Sequence, residues 1–143
     1  RVNGAARQVF SEMMAARAKA ISESNNYVIS FDTANNTYKI HDDDDGDGTE
    51  AGEAVRTVNI AEAYPGIEYG YMVGNSPSGS AITSAVTFNG SKVTFKPSGL
   101  ISGLGGTVYL KPADATKNDM QRCVTVIQTG RVRLYKYTGS GWE

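Results

Sequence analysis

The sequence predicts an α+β fold, in which one long N-terminal α-helix packs on an antiparallel two-sheet β-sandwich within a single domain spanning residues 1–143. Three observations carry that prediction. Val2, Ala6, Val9, Phe10, Met13, Met14, Ala20 and Ile21 recur at three- and four-residue spacing, which puts them on one helical face. From Tyr27 onward the apolar period falls to two, the period of a strand with one buried face. Clusters of Gly, Pro, Asn and Ser then punctuate a series of seven to nine short strand-like runs.

The helix occupies residues 1–24, with Arg7, Ser11, Glu12, Lys19 and Ser22 on its polar side. Asn3 is the sole candidate N-cap, and it would leave Val2 outside the helix. A helix pattern already running at residue 2 without a cap predicts an upstream continuation. Asn25-Asn26 ends the pattern and opens the β-rich body, residues 25–143. Residues 27–31 and 37–40 read as a hairpin around Ala34-Asn35-Asn36, followed by an acidic loop over 42–53 and strands at 55–60 and 67–71. A Gly/Ser/Pro loop covers 74–80. Residues 86–88 and 92–95 flank Asn89-Gly90, the strongest short hairpin signal, with Ser91 lengthening the loop. Pro97-Ser98-Gly99 interrupts, 107–110 forms another strand, and 123–128 and 131–137 close the chain around Thr129-Gly130. The strands are expected as two antiparallel sheets, with the helix laid on one of them.

Composition excludes several functional classes. The net charge of −1 demands neither an anionic nor a cationic partner. No run of 18 apolar residues is present, and no signal peptide is visible. Cys123 is the single cysteine, so no intrachain disulfide forms; within a strand-like run it reads as a buried small hydrophobe. His41, the single histidine, sits beside the acidic run and reads as a solvated loop residue. No catalytic residues are assigned: there is no Ser/His/Asp set, no CxxC and no His-rich metal pattern. Gly103-x-Gly105-Gly106 precedes a strand, where a phosphate loop needs a helix N-terminus.

Two stretches carry a chemical signal. Residues 42–53 hold seven acids and no base. Asp43-x-Asp45-x-Asp47-Gly48 reproduces the first half of a calcium loop: three carboxylates at alternate positions, the Thr49 carbonyl as a fourth ligand and Gly48 for the sharp turn. Glu53 falls at the eleventh position where the twelfth is required, and the flanks read as strands where helices are expected. Both a structural Ca²⁺, the one cofactor the sequence suggests, and a solvated acidic turn fit this pattern. The second stretch is the last strand. Arg131, Arg133 and Tyr135 share one face with Lys136 close behind, while Val132 and Leu134 point inward. Guanidiniums suit phosphate and a tyrosine ring can stack on a base, so tentative DNA contacts fall on Arg131, Arg133 and Lys136. An edge strand blunted by arginines has the same pattern.

Ala16-Arg17-Ala18-Lys19-Ala20-Ile21, Phe95-Lys96-Pro97-Ser98-Gly99 and the closing 122–133 stretch ending in Gly130-Arg131-Val132-Arg133 resemble motifs of the GspH/FimT family of minor pseudopilins and minor pilins. The resemblance covers essentially the whole chain. It implies a structural, non-enzymatic subunit of a type II secretion or type IV pilus filament. It also implies that the upstream helix half anchors the protein in the bacterial inner membrane, with this domain in the periplasm. Partners would be other pilins or pseudopilins, met through the helix at Val9, Phe10, Met13 and Met14. Those four could equally face their own sheet. Some FimT-like members bind DNA during uptake through a G-R-x-R element, which Gly130-Arg131-Val132-Arg133 matches, so a DNA-binding minor pilin is the competing expectation.

Overall fold

A computed structural model describes residues 1–43 and 55–143. Helix α1 runs Val2–Glu23, and Ser24 closes it in the left-handed conformation (φ 57°). Strands follow at β1 (Asn26–Asp32), β2 (Thr37–Asp43), β3 (Val55–Asn59), β4 (Ile67–Tyr69), β5 (Lys92–Phe95), β6 (Gly106–Pro112), β7 (Arg122–Val126) and β8 (Val132–Lys136), with one helical turn α2 at Ile60–Ala63. They form two four-stranded antiparallel sheets, ordered β3-β2-β1-β5 and β4-β6-β7-β8.

The helix buries Ala5, Ala6, Val9, Met13, Ala16 and Ala20. Four of these six are alanine, which brings the helix backbone close to the strands. The expected placement on one sheet is corrected: α1 touches β1 and β5 of the first sheet and β6, β7 and β8 of the second. One hydrophobic cluster collects the inward residues of both sheets and the helix, including Ile29, Phe31, Val93, Phe95, Val108, Leu110 and Val124. Phe31 of β1 stacks on Phe88 at 6.0 Å and meets Tyr69 of β4 edge-on at 6.2 Å, joining the sheets through aromatic contact. Asn3 is not a cap, because its side-chain oxygen accepts from Arg122 Nε at 2.6 Å and ties the first helical turn to β7.

The hairpin expected around Asn89-Gly90 does not form. Residues 89–91 make a 3₁₀ turn, with Gly90 and Ser91 both at positive φ, and the chain there crosses between sheets. On one side Thr87 N bonds Thr107 O and Tyr109 N bonds Ala85 O, along β6. On the other, Lys92–Phe95 pairs with β1. Gly106 permits the crossing, since a Cβ there would lie 2.8 Å from Phe88 N. His41 is also corrected: β2 continues through Asp43, so His41 is a strand residue, only 2% exposed and opposite Val28.

Candidate functional site

The three motif segments noted in the sequence converge on one junction. Arg17, on the flank of α1, donates from Nε to Gly99 O at 2.8 Å. Gly130 closes the turn between β7 and β8 at φ 84°. A Cβ on Gly130 would lie 2.0 Å from Gly99 O and 2.7 Å from Arg17 Nε. The helix, the loop after β5 and the β7–β8 turn are therefore held together where only glycine fits. One residue from each of the A-R-x-x-A-I, F-x-P-x-G and G-R-V-R segments thus meets the other two at this junction.

Beside the junction lies a surface between α1 and β8. Val132 and Leu134 pack against the core, as the alternation requires. Arg131 and Arg133 are exposed, and the Arg133 guanidinium sits 5.2 Å from the centre of the Tyr135 ring. Lys136 departs from the expected set: it lies on the Leu134 side, lining a hollow with Asn3, Arg7 and Glu143. The strand alternation that unites Arg131 with Arg133 turns Lys136 away from them. A shallow cleft of about 590 Å³ runs along this surface, lined by Arg7, Phe10 and Ser11 from the helix and by Arg131 to Leu134 from the strand. The sequence reading missed Arg7, whose one visible signal was its place on the polar helix side.

The four helix residues expected to pack against partners divide in two. Val9 and Met13 are buried in this domain's own core, at 2% and 0% exposure. Phe10 is half-buried at the cleft and still packs against the core, whereas Met14 is 51% exposed. Ile21, 46% exposed, extends this outward stripe one turn past Arg17, and its Cδ1 would lie 3.2 Å from a Cβ on Gly99. The outer flank of α1 therefore carries a second apolar stripe, about 100° round the helix from the core-facing one.

Cys123 is fully buried in β7, and burial pushes its thiol up to about 12. Neighbouring Tyr109 is pushed to about 12 by the same cause. Neither is poised for chemistry at neutral pH. Of the calcium candidates, Asp43 is a buried residue at the end of β2, while Asp45, Asp47, Thr49 and Glu53 lie outside the described residues. No group of three or more acidic, His or Cys side chains able to hold a metal ion occurs among the described residues.

The family profile described as "Type II transport protein GspH" matches residues 5–130. The chain belongs to the GspH family. Two solved folds place that membership in three dimensions. The minor pseudopilin EpsH of the Vibrio cholerae type 2 secretion system superposes with a TM-score of 0.62 at 13% identity, over 93% of this chain and 94% of that one. The type IV minor pilin FimU of Pseudomonas aeruginosa superposes with a TM-score of 0.61 at 16% identity, over 99% and 92%. No curated protein matches the sequence significantly. In this GspH-family chain the matched segment takes in all three residues of the junction and stops at Gly130. Arg131, Arg133 and the rest of β8 lie beyond it. No helix among the described residues is long and apolar enough to cross a membrane.

Proposed function

We propose that this GspH-family domain is the head of a minor pseudopilin or minor pilin, a structural subunit at or near the tip of a type II secretion or type IV pilus filament. Family membership over residues 5–130 carries the proposal. The outward residues Met14 and Ile21 support it, because a helix that has already buried one face in its own domain has no internal use for further apolar side chains held in solvent. Those residues pack against helices of neighbouring subunits. An apolar upstream half anchors the protein in the inner membrane, holds this domain in the periplasm and later packs inside the filament. The domain's work is assembly; it has no catalytic step.

The test is a photo-crosslinking residue at position 14 in the full-length protein in its native cell. Adducts with other pilin-like subunits, recovered in the membrane and filament fractions, are the expected outcome. A protein that stays in the soluble periplasm and forms no such adduct overturns the reading. The native sequence upstream gives a second test: about 20 predominantly apolar residues are required there, and a polar stretch in their place is incompatible with the proposal.

A further inference from the structure

The β4-β6-β7-β8 sheet carries a trough on the face turned away from α1. Thr107, Thr125 and Tyr135 alternate with the core-facing residues Val108, Val124 and Leu134, so they point out of that face. The loop over residues 76–83 makes one wall. It is held in place from both ends: Ile82 N donates to Gly74 O at 2.8 Å, Asn75 bridges to Ala81, and buried Gln121 accepts from Met72 N and Val73 N. Between this loop and the sheet lies a hollow of about 560 Å³. A second hollow of about 610 Å³ adjoins it and reaches Lys92 and Thr94 of β5. Thr87, Leu104 and Gly105 line both, so the two make one trough.

Its lining is dominated by hydroxyls. Ser76, Ser78, Ser80, Thr83, Thr107 and Thr125 bring them to the first hollow, and no charged side chain among the described residues lines it. The second adds Thr94 and Ser102, with Lys92 as its one charge among the described residues. Ser76 Oγ lies 2.9 Å from both Ser78 Oγ and Ser80 Oγ, and those two are 3.3 Å apart. A hydroxyl gives one hydrogen and accepts two, so this ring keeps acceptor capacity on every oxygen. Backbone groups at the trough are already paired: Thr107 O accepts from Thr87 N at 3.0 Å, and Thr107 N donates to Thr87 Oγ1 at 2.8 Å. An extended peptide therefore meets side chains here and no open strand edge. Two apolar side chains stand out of this polar surface, Leu104 at 82% exposure and Ile127 at 45%.

We propose that the trough binds an uncharged oligosaccharide, laid across both hollows with Leu104 beneath one of its rings. Sugar hydroxyls donate and accept, as the lining hydroxyls do, so the two sets pair in either sense. The C–H face of a sugar ring is apolar, and resting on Leu104 and Ile127 it removes them from water. A charged ligand would lose its hydration in the first hollow without a counter-charge. A fatty chain would leave the hydroxyls buried and unpaired. Both volumes fall within the roughly 300–1,000 Å³ of small-molecule sites. Neither Met14 nor Ile21 lines the trough, so sugar binding and subunit packing use separate surfaces.

The probes are tetramers of N-acetylglucosamine and of glucose. A tetramer of galacturonic acid is the charged counterpart and an extended Gly/Ser/Thr peptide the non-sugar one, each titrated into the isotope-labelled chain. The expected result is amide shifts confined to residues 76–83, 87–94, 102–107 and 125–127 on adding a neutral tetramer. Binding of one neutral tetramer and not the other also supports the site and narrows its sugar. Leu104→Ala should weaken binding about tenfold, the loss of one covered leucine side chain. Leu100→Ala, at an exposed leucine outside the trough, should bind like the parent. Ser78→Ala/Ser80→Ala keeps the apolar contact and should still weaken binding several-fold. No shift with either neutral tetramer at millimolar concentration overturns the proposal. So does equal binding of the galacturonate or of the peptide, or a Leu100→Ala loss as large as that of Leu104→Ala. Far-ultraviolet circular dichroism of each variant must match the parent; a variant that unfolds is replaced by Thr83→Val, from which the same loss is expected.

Discussion

Replacing Gly130 with alanine isolates the junction between helix and sheets. Gly130 holds φ at 84°, in the left-handed region, where an L-residue with a Cβ costs about 1–2 kcal/mol. Gly103 has the same φ of 84°, but a Cβ there meets nothing within 4 Å. Gly103→Ala therefore measures the backbone cost alone, about 1–2 kcal/mol. At Gly130 the new methyl also falls 2.0 Å from Gly99 O, a backbone atom that must move. Overpacking of that kind costs roughly 1–3 kcal/mol more. The shift also lengthens the Arg17–Gly99 hydrogen bond, whose charged donor is worth about 1.5–3 kcal/mol. Gly130→Ala should thus lose roughly 4–8 kcal/mol, a large share of a stability of about 5–15 kcal/mol. The melting temperature should fall by roughly 10–20 °C, at a few degrees per kcal/mol for a chain of this size. Urea titration followed by circular dichroism gives both differences, provided the slopes match. If the two variants fall within about 1 kcal/mol of each other, the junction does not hold the fold and the argument fails.

Other outcomes follow from the same structure. Arg17→Ala should cost about 1.5–3 kcal/mol, and its effect should not add to that of Gly130→Ala in a double-mutant cycle, because both act on Gly99 O. Met13→Ala should destabilise the chain by about 2–5 kcal/mol, whereas Met14→Ala should leave the melting temperature nearly unchanged and reduce incorporation into filaments in cells. Cys123 should resist a thiol reagent at pH 8 until the chain unfolds. Its raised pKa makes the folded state hold a proton that the unfolded thiol gives up. That contribution to stability is complete below the ordinary value of 9.0 and is lost as pH rises toward about 12. Thermal unfolding between pH 8 and 11 should show a shallower decline in Cys123→Ala than in the parent.

Much of the fold was legible because its signals are local. The shift from period 3.6 to period two at Tyr27 sets the α1–β1 boundary, and the strands it implies match β1, β6, β7 and β8 to within a few residues. What was not legible was pairing. Asn89-Gly90 is a strong turn signal whichever strands it joins, and here it carries the chain from β6's edge to β1's. The choice between a hairpin and a crossing depends on Gly106 lying against Phe88, a contact between residues 18 apart that no local pattern records. His41 failed for a related reason. Its acidic neighbours suggested water, but Asp42 and Asp43 continue the strand opposite Tyr27 and Asn26.

The candidate site separates two kinds of information in one sequence. Arg17, Gly99 and Gly130 could be found as motif residues, and the structure gives them a task in packing: they clamp the helix to both sheets and fix where β8 begins. The surface that faces outward carries no such signature. Phe10 and Met14 were indistinguishable by spacing from Val9 and Met13, because a helix with two apolar stripes about 100° apart looks in sequence like one broad face. Met14 at 51% exposure and Met13 at 0% are sequence neighbours in opposite environments.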